Sequence, residues 1–343
     1  MICCALVLPI IGGSSRFTLY DEYSYVGGIS AKAFYTCGRK WTGDVYATAK
    51  WPSDGAVSLN TKEAIHQSCP IAVAVNDVGD VVAQLNLGTL KDFNSAGFRW
   101  LHDGEVQRLK TFTDKDQCLP RAISRDGSQI IGTIFGTDRD WPAVWRRDGS
   151  IVRLPPKEKP LKSFGEALGM SGNGRVIVGH LGSESEGQRA VTWTDSGPPR
   201  KLGDLAKSKF QSYAWVANFQ GSIVAGYSKV GGRCIPVRWI GAAKPLPLGT
   251  MPSRYDTGMA RGISDDGKVI VGLWGTGESG QGFVWTEKTG AVSAAEFLTS
   301  HGLGAQVSGL KLTVVIGVTA DGHTIAGECF DAQHHMHGFR ATF

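Results

Sequence analysis

No run of 18 or more apolar residues occurs in this chain, so no segment reads as a membrane-spanning helix. No Cys-x-x-Cys pair occurs, which removes support for a structural zinc site. The seven cysteines, Cys3, Cys4, Cys37, Cys69, Cys118, Cys234 and Cys329, are odd in number and are read as buried free thiols. Cys69 and Cys118 occupy similar places in successive segments and are the one pair expected to lie close together. No block of Lys and Arg stands out: 36 basic and 31 acidic residues are spread along the chain, a net charge of +5 that reads as solvated surface. No nucleic-acid partner is expected. No nucleophile elbow, His-Glu-x-x-His or P-loop motif is found, and no cofactor is expected. No long apolar stripe of helical period appears, so no helical layer is expected.

What the chain has instead is glycine, 46 residues, and ten tryptophans, six of which recur in step. A short apolar strand closes on Trp51, Trp100, Trp145, Trp193, Trp239 and Trp285, at spacings of 49, 45, 48, 46 and 46 residues. A seventh copy, Gly338-Phe339-Arg340-Ala341, carries Ala in the Trp slot. A unit of roughly 47 residues cannot bury its own apolar face, so the copies must pack on one another as a single domain, residues 1–343. Each copy opens on a small-residue strand and a polar turn, as in Ala122-Ile123-Ser124-Arg125-Asp126-Gly127 and Gly262-Ile263-Ser264-Asp265-Asp266-Gly267. Asp-Gly between apolar runs is a hairpin signal. A β-branched strand ending in Gly follows (Arg175-Val176-Ile177-Val178-Gly179; Lys268-Val269-Ile270-Val271-Gly272), then the Trp strand, then a fourth strand ending on Leu154, Leu202 or Leu248. Four short antiparallel strands per copy predict an all-β fold, a seven-bladed β-propeller of four-stranded blades. The recurring indoles are assigned to packing between blades, where each can bury on the order of 200 Å².

The seventh copy stops after its third strand. Residues 4–8, which resemble the fourth strand of other copies, are expected to complete it and remove an exposed sheet edge. Residues 1–13 are apolar enough to resemble a signal peptide, but the first charge is Arg16, and they are read as a strand. In the first copy Tyr20-Asp21-Glu22-Tyr23 is expected in the turn.

The Ala-x-x-Ile-Ser-x-Asp-Gly opening, the Val-x-Val-Gly second strand and the aromatic-Arg-Trp third strand resemble the HAF-type repeats of predicted bacterial extracellular proteins. His337-Gly338-Phe339-Arg340 comes nearest to the name-giving His-Ala-Phe, and Gly97-Phe98-Arg99-Trp100 and Gly282-Phe283-Val284-Trp285 keep the Phe and Trp. The resemblance covers essentially the whole chain, most clearly from Ile71 onward. It implies a propeller-like fold in an extracellular or surface setting, and no catalytic residues.

Short turns join strands one to two and three to four and collect on one face. The connections from strand two to three (37–45, 84–96, 133–142, 180–189, 227–235, 273–281 and 328–337) collect on the other, where binding residues are expected. Three of the four remaining tryptophans, Trp41, Trp141 and Trp274, fall in them. With Arg139, Tyr227, His180 and Arg233 on the same face, they form the expected contact surface for a protein or glycan, presented by a monomer. Packing beneath their own loops is the competing reading for these rings. Loop carboxylates Asp138, Asp140, Glu184, Glu186, Glu278 and Asp331 leave open an alternative, a glycosidase or polysaccharide lyase acting at the central channel. Acids converging at one channel mouth, one with a strongly raised pKa, would favour that alternative. The turns at Ser124 and Ser264 resemble the Asp-box of sialidases but lack the residue between Asp and Gly and the aromatic that follows. His334-His335-Met336-His337, near Asp331, matches no standard metal spacing and reads as a solvated loop; no metal is expected.

Overall fold

The computed structural model describes residues 15–42, 46–52, 57–59, 71–87, 94–136, 140–155, 164–183, 187–194, 197–207 and 210–343. The chain runs through four-stranded antiparallel meanders, each paired in sequence order. The first is Tyr25–Ile29, Tyr35–Trp41, Tyr46–Pro52 and Val57–Leu59. Further meanders begin at Ile71–Val75, Gln117–Ile123, Phe164–Met170, Phe210–Ala217 and Gly258–Ile263. A two-residue parallel pairing, Gly187 with Phe210 and Gln188 with Gln211, joins two of them into one eight-stranded sheet. The last sheet holds Lys311–Val318, Thr324–Phe330 and Met336–Thr342, and its outer position is taken by Arg16–Glu22, antiparallel to Met336–Thr342.

Three expectations change here. The strand on that outer edge begins at Arg16, while residues 4–8 lie outside the described residues. Tyr20, Asp21 and Glu22 belong to this strand, and the first turn of the first sheet falls instead at Ala31-Lys32-Ala33. A helical segment, Ala294–Leu298, Thr299–Leu303 and Gly304–Val307, also precedes the last sheet. Its start was written in the sequence as a capping box: the Ser293 hydroxyl accepts from Glu296 N–H, and the Glu296 carboxylate accepts from Ser293 N–H. This segment accounts for the missing indole. Ala341, fully buried in the Trp slot, shares a cluster with Phe297, Leu298, Leu303 and Val307.

The core lies between sheets. One cluster joins Ile131 and Val144 to Ala167, Val191 and Trp193, and another joins Val178 and Ala190 to Val224 and Trp239. Three of the recurring indoles tie their sheets to the chain leaving the one before. Trp145, Trp193 and Trp239 donate from Nε1 to the carbonyls of Lys110 (2.6 Å), Pro155 (3.1 Å) and Gly203 (2.8 Å). At the first sheet the partner comes from the chain's start: Tyr20 stacks on Trp51 at 4.8 Å. A relay of backbone hydrogen bonds runs between the inner turns, from Asn173 N–H to Phe219 C=O, Phe219 to Asp265, Asp265 to Ala320 and Ala320 to Ala31. The last step joins the last sheet to the first.

One local feature repeats in every inner strand. Among the described residues, the pairing of first with second strand slips by one residue, leaving Gly27, Val73, Arg121, Leu168, Trp215, Arg261 and a second bulge at Ile316 of the last sheet unpaired. Opposite lies the glycine that ends the β-branched run, or Ala83 in the sheet opened by Ile71–Val75. A Cβ at Gly179 would stand 1.9 Å from the Glu166 oxygen, and one at Gly226 would stand 1.9 Å from that of Tyr213. The glycine of the Val-x-Val-Gly pattern relieves this close approach wherever it occurs.

Trp239 is fully buried, so Trp239→Ala should cost about 3–5 kcal/mol in urea unfolding. Trp239→Phe, which strands the Gly203 carbonyl, should cost about 1–3 kcal/mol. A loss below about 1 kcal/mol for the Ala variant would refute the tying role.

Candidate functional site

The first strands of the sheets line one cavity, and their turn ends and loop ends differ. At the turn end, the Ser-x-Asp-Gly pattern is self-contained: Ser124 Oγ donates to Asp126 at 2.7 Å and accepts from Gln129 N–H at 2.9 Å. Ser264 repeats this with Asp266 and Val269. One pair reaches across. Arg125 donates from Nη1 to Asp265 Oδ2 at 2.9 Å and from Nη2 to the other oxygen, and its guanidinium lies 5.1 Å from the Phe219 ring centre. Beyond this ion pair is the cavity, of about 240 Å³, lined by Val73, Ile123, Met170, Val216, Ile263 and Arg261 among others.

The opposite, loop end is polar. The residue after the second-strand glycine, or its equivalent, contributes one side chain per sheet: Arg39, Gln84, Thr133, His180, Tyr227, Leu273 and Glu328. Each is paired with a first-strand residue, including Tyr25 with Arg39, Glu166 with His180 and Tyr213 with Tyr227. Arg39 lies over both Tyr25 (3.9 Å) and Tyr46 (4.6 Å). The Tyr213 ring stacks on Tyr227 at 4.9 Å and contacts His180 at 4.0 Å, while its hydroxyl donates to Gln188. Arg121, on a bulge, holds Glu166 at 3.2 Å. Arg261, on another, lies 4.4 Å over the Trp215 ring.

Burial sets the protonation states. It pushes the Glu328 carboxyl up to about 7, against a backbone hydrogen bond from Val26 and the charges of Arg39 and Arg261. Burial, with the Arg121 charge, pushes the His180 imidazole down to about 3, so it is neutral near pH 7. Burial, with Arg121 as a like charge, lowers the Arg261 guanidinium to about 10. Asp140 is raised by burial and by Glu166, and Tyr227 is raised by burial and by Tyr213. Two acids therefore carry raised pKa values, and both have Glu166 or buried arginines in their field.

Of the residues expected to form a contact surface, His180 and Tyr227 stand at this mouth, though inside strands and buried. Trp41 ends its strand 40% exposed, edge-on to Tyr46 at 5.1 Å. Trp274 is a core residue, 4% exposed and stacked on Phe283 at 5.1 Å, because the strand runs on to include it. Trp141 likewise lies in a strand, half-buried under Arg153 at 4.4 Å. Arg233 is spent on the carbonyls of Tyr255 and Pro252. Arg139, Asp138, Glu184, Glu186 and Cys69 lie outside the described residues. Glu278 bonds His334, and Asp331 organises its own loop, accepting from the Gln333 and His335 N–H groups and contacting His337 Nε2 at 3.2 Å. Glu166, Tyr213, Trp215, Arg121, Arg261 and Glu328 were missed. Aligning the copies on the second-strand glycine would have found Glu328 beside His180 and Tyr227.

No family model matches the chain, and no curated protein matches it. Solved structures do. TolB from Acinetobacter baumannii is 10% identical with a TM-score of 0.51, over 76% of this chain and 63% of its own, so this chain spans less than two thirds of it. Oligogalacturonate lyase from Vibrio parahaemolyticus is 10% identical with a TM-score of 0.59, over 96% of this chain and 93% of its own. YCF48 bound to D1 peptide is 10% identical with a TM-score of 0.53, over 98% and 99%. At such identities the likeness shows the fold alone, an all-β propeller type.

The two buried groups pull stability in opposite directions with pH. Glu328 holds a proton in the folded state between about 4.5 and 7 that the unfolded chain has lost, so its contribution falls as pH rises through that window. His180 refuses a proton between about 6.5 and 3 that the unfolded chain takes, so its contribution falls as pH drops through that window. Glu328→Gln should therefore match the wild type near pH 4 and exceed it at pH 8, by at most about 3 kcal/mol. Urea titrations at the two pH values read this directly, and a pH-independent difference would contradict the assigned protonation.

Proposed function

We propose that the sheets form a closed ring of seven blades, the last completed by Arg16–Glu22, and that this monomeric ring is a binding propeller whose loop end receives a protein or glycan. One observation carries the reading. At a single register position the scaffold repeats its bulge and, apart from Ala83, its glycine, yet the side chain delivered to the mouth changes from sheet to sheet: cationic, amide, hydroxyl, imidazole, phenol, apolar and acidic. Packing alone would favour one repeated apolar residue there. A propeller-type neighbour solved with a bound peptide supports the same use of the fold. The HAF-type resemblance belongs to this reading, with an extracellular or surface setting.

A specific observation also favours a second reading, a glycan-active enzyme. Glu328, with its pKa near 7, and Glu166 and Asp140 gather around the loop end, the convergence expected of an acid–base pair.

Binding to a glycan array and a peptide library separates these readings. The pair Trp41→Ala with Gln84→Ala, at the loop end, should weaken capture of a bound probe about tenfold or more. The pair Arg146→Ala with Asp148→Ala, at a turn between third and fourth strands, should leave it unchanged. Equal loss in both pairs would defeat the assigned face, and glycan cleavage abolished by Glu328→Gln would select the enzyme.

A further inference from the structure

The bulges do more than relieve the inner strands. Three of them, at Arg121, Trp215 and Arg261, carry side chains that can only donate hydrogen bonds. Arg261 makes no ion pair among the described residues; its guanidinium lies on the Trp215 ring and meets only the Met259 sulfur, at 4.0 Å. The Trp215 Nε1 is buried without an acceptor, and so is Arg121 Nε, although the same guanidinium holds Glu166 through Nη2. Two buried N–H donors without acceptors, beside a guanidinium that has no ion pair among the described residues, form a costly arrangement, and a bound acceptor relieves it.

We propose that the loop end binds a uronate-bearing glycan, with the sugar carboxylate seated on Arg261 beside the N–H groups of Trp215 and Arg121. This rests on the reading of the loop end as a binding site and names its ligand class. The charge balance favours a monoanion. Near pH 7 Arg39, Arg121 and Arg261 outweigh Glu166 and a Glu328 that is about half protonated, and the two acids would repel a phosphate dianion more than a monoanion. A carboxylate also matches the planar guanidinium fork. The rest of the mouth suits sugar hydroxyls. Thr133 Oγ1 and His180 Nδ1 are buried and unpartnered, and each can donate or accept as a hydroxyl requires. An acidic peptide brings carboxylates but no rigid set of hydroxyls to meet these two groups.

The test is calorimetric titration of the full chain with trigalacturonate and a hyaluronan tetrasaccharide, with the methyl ester of trigalacturonate and a glutamate tripeptide as controls. At least one uronate oligosaccharide should bind, and the ester and the tripeptide about tenfold more weakly or less. Arg261→Gln should weaken uronate binding roughly thirty-fold or more, and Arg261→Lys should restore part of it. Without ligand, Arg261→Gln should melt no lower than the wild type, because it removes a charge that has no ion pair among the described residues and sits beside the like charge of Arg121. Equal affinity for the ester, stronger binding of the tripeptide, silence of both uronates, or a markedly lower melting point for Arg261→Gln would each overturn the proposal. If a neutral glycan or a peptide still binds and is lost with Trp41→Ala and Gln84→Ala, the loop-end reading stands and only the uronate assignment falls. If no array or library probe binds at the loop end, both fall.

Discussion

The close approach of two backbones, first-strand carbonyl against second-strand glycine, is the constraint from which the rest of the molecule follows. At Gly38 a Cβ would lie 1.7 Å from the Tyr25 oxygen, and at Gly327 2.0 Å from that of Val314. Glycine answers this approach in six of the seven bulged pairs, and the buried Ala83 takes its place opposite the bulge at Val73. The strands are thereby pinned in register at the axis, where a slip of one residue would turn every core side chain outward. The same contact frees one residue per inner strand from the ladder and brings a second-strand side chain to the channel mouth. Scaffold and site are consequences of one steric fact.

Energetically the sheets are incomplete objects. Their apolar residues meet across sheet boundaries, and the indoles of Trp145, Trp193 and Trp239 reach back to backbone carbonyls of the preceding meander. Where the indole is missing, the helical segment around Phe297 fills the volume beside Ala341 and Phe343. At the first described meander, Tyr20 supplies the aromatic partner of Trp51 and reaches Thr36 with its hydroxyl at 3.0 Å. The repeat tolerates substitution of the part so long as the contact is made.

Much of this was legible in the residues. The indole spacing, the Asp-Gly turns and the Gly-terminated runs gave the strand count per copy, because each is a local signal with a local cause. The edge strand was sought at residues 4–8 because apolar alternation resembled a fourth strand, whereas Arg16–Glu22 alternates only weakly, with one face toward Phe339 and the other half-exposed. The loop aromatics were misplaced for a related reason: strands two and three run further than their turn residues suggest, which draws Trp141 and Trp274 into packing. The mouth itself was legible only in part. His180 and Tyr227 could be named from position, but the meeting of Arg121 with Arg261, 140 residues apart, follows from curvature around an axis that no local pattern encodes.

The contact between the two ends of the chain has a consequence for how the molecule is made. Ser24 Oγ accepts from Gly338 N–H across 314 residues, and among the described residues Arg16–Glu22 pairs with Met336–Thr342 alone. During translation the early meanders can stack as they emerge, yet Arg16–Glu22 lacks this partner until Met336–Thr342 leaves the ribosome. For that interval both ends of the growing stack expose unpaired backbone. The nascent protein is then open to edge-to-edge association, or to exchange of its first strand with a neighbour, and a holding chaperone would matter most at that time.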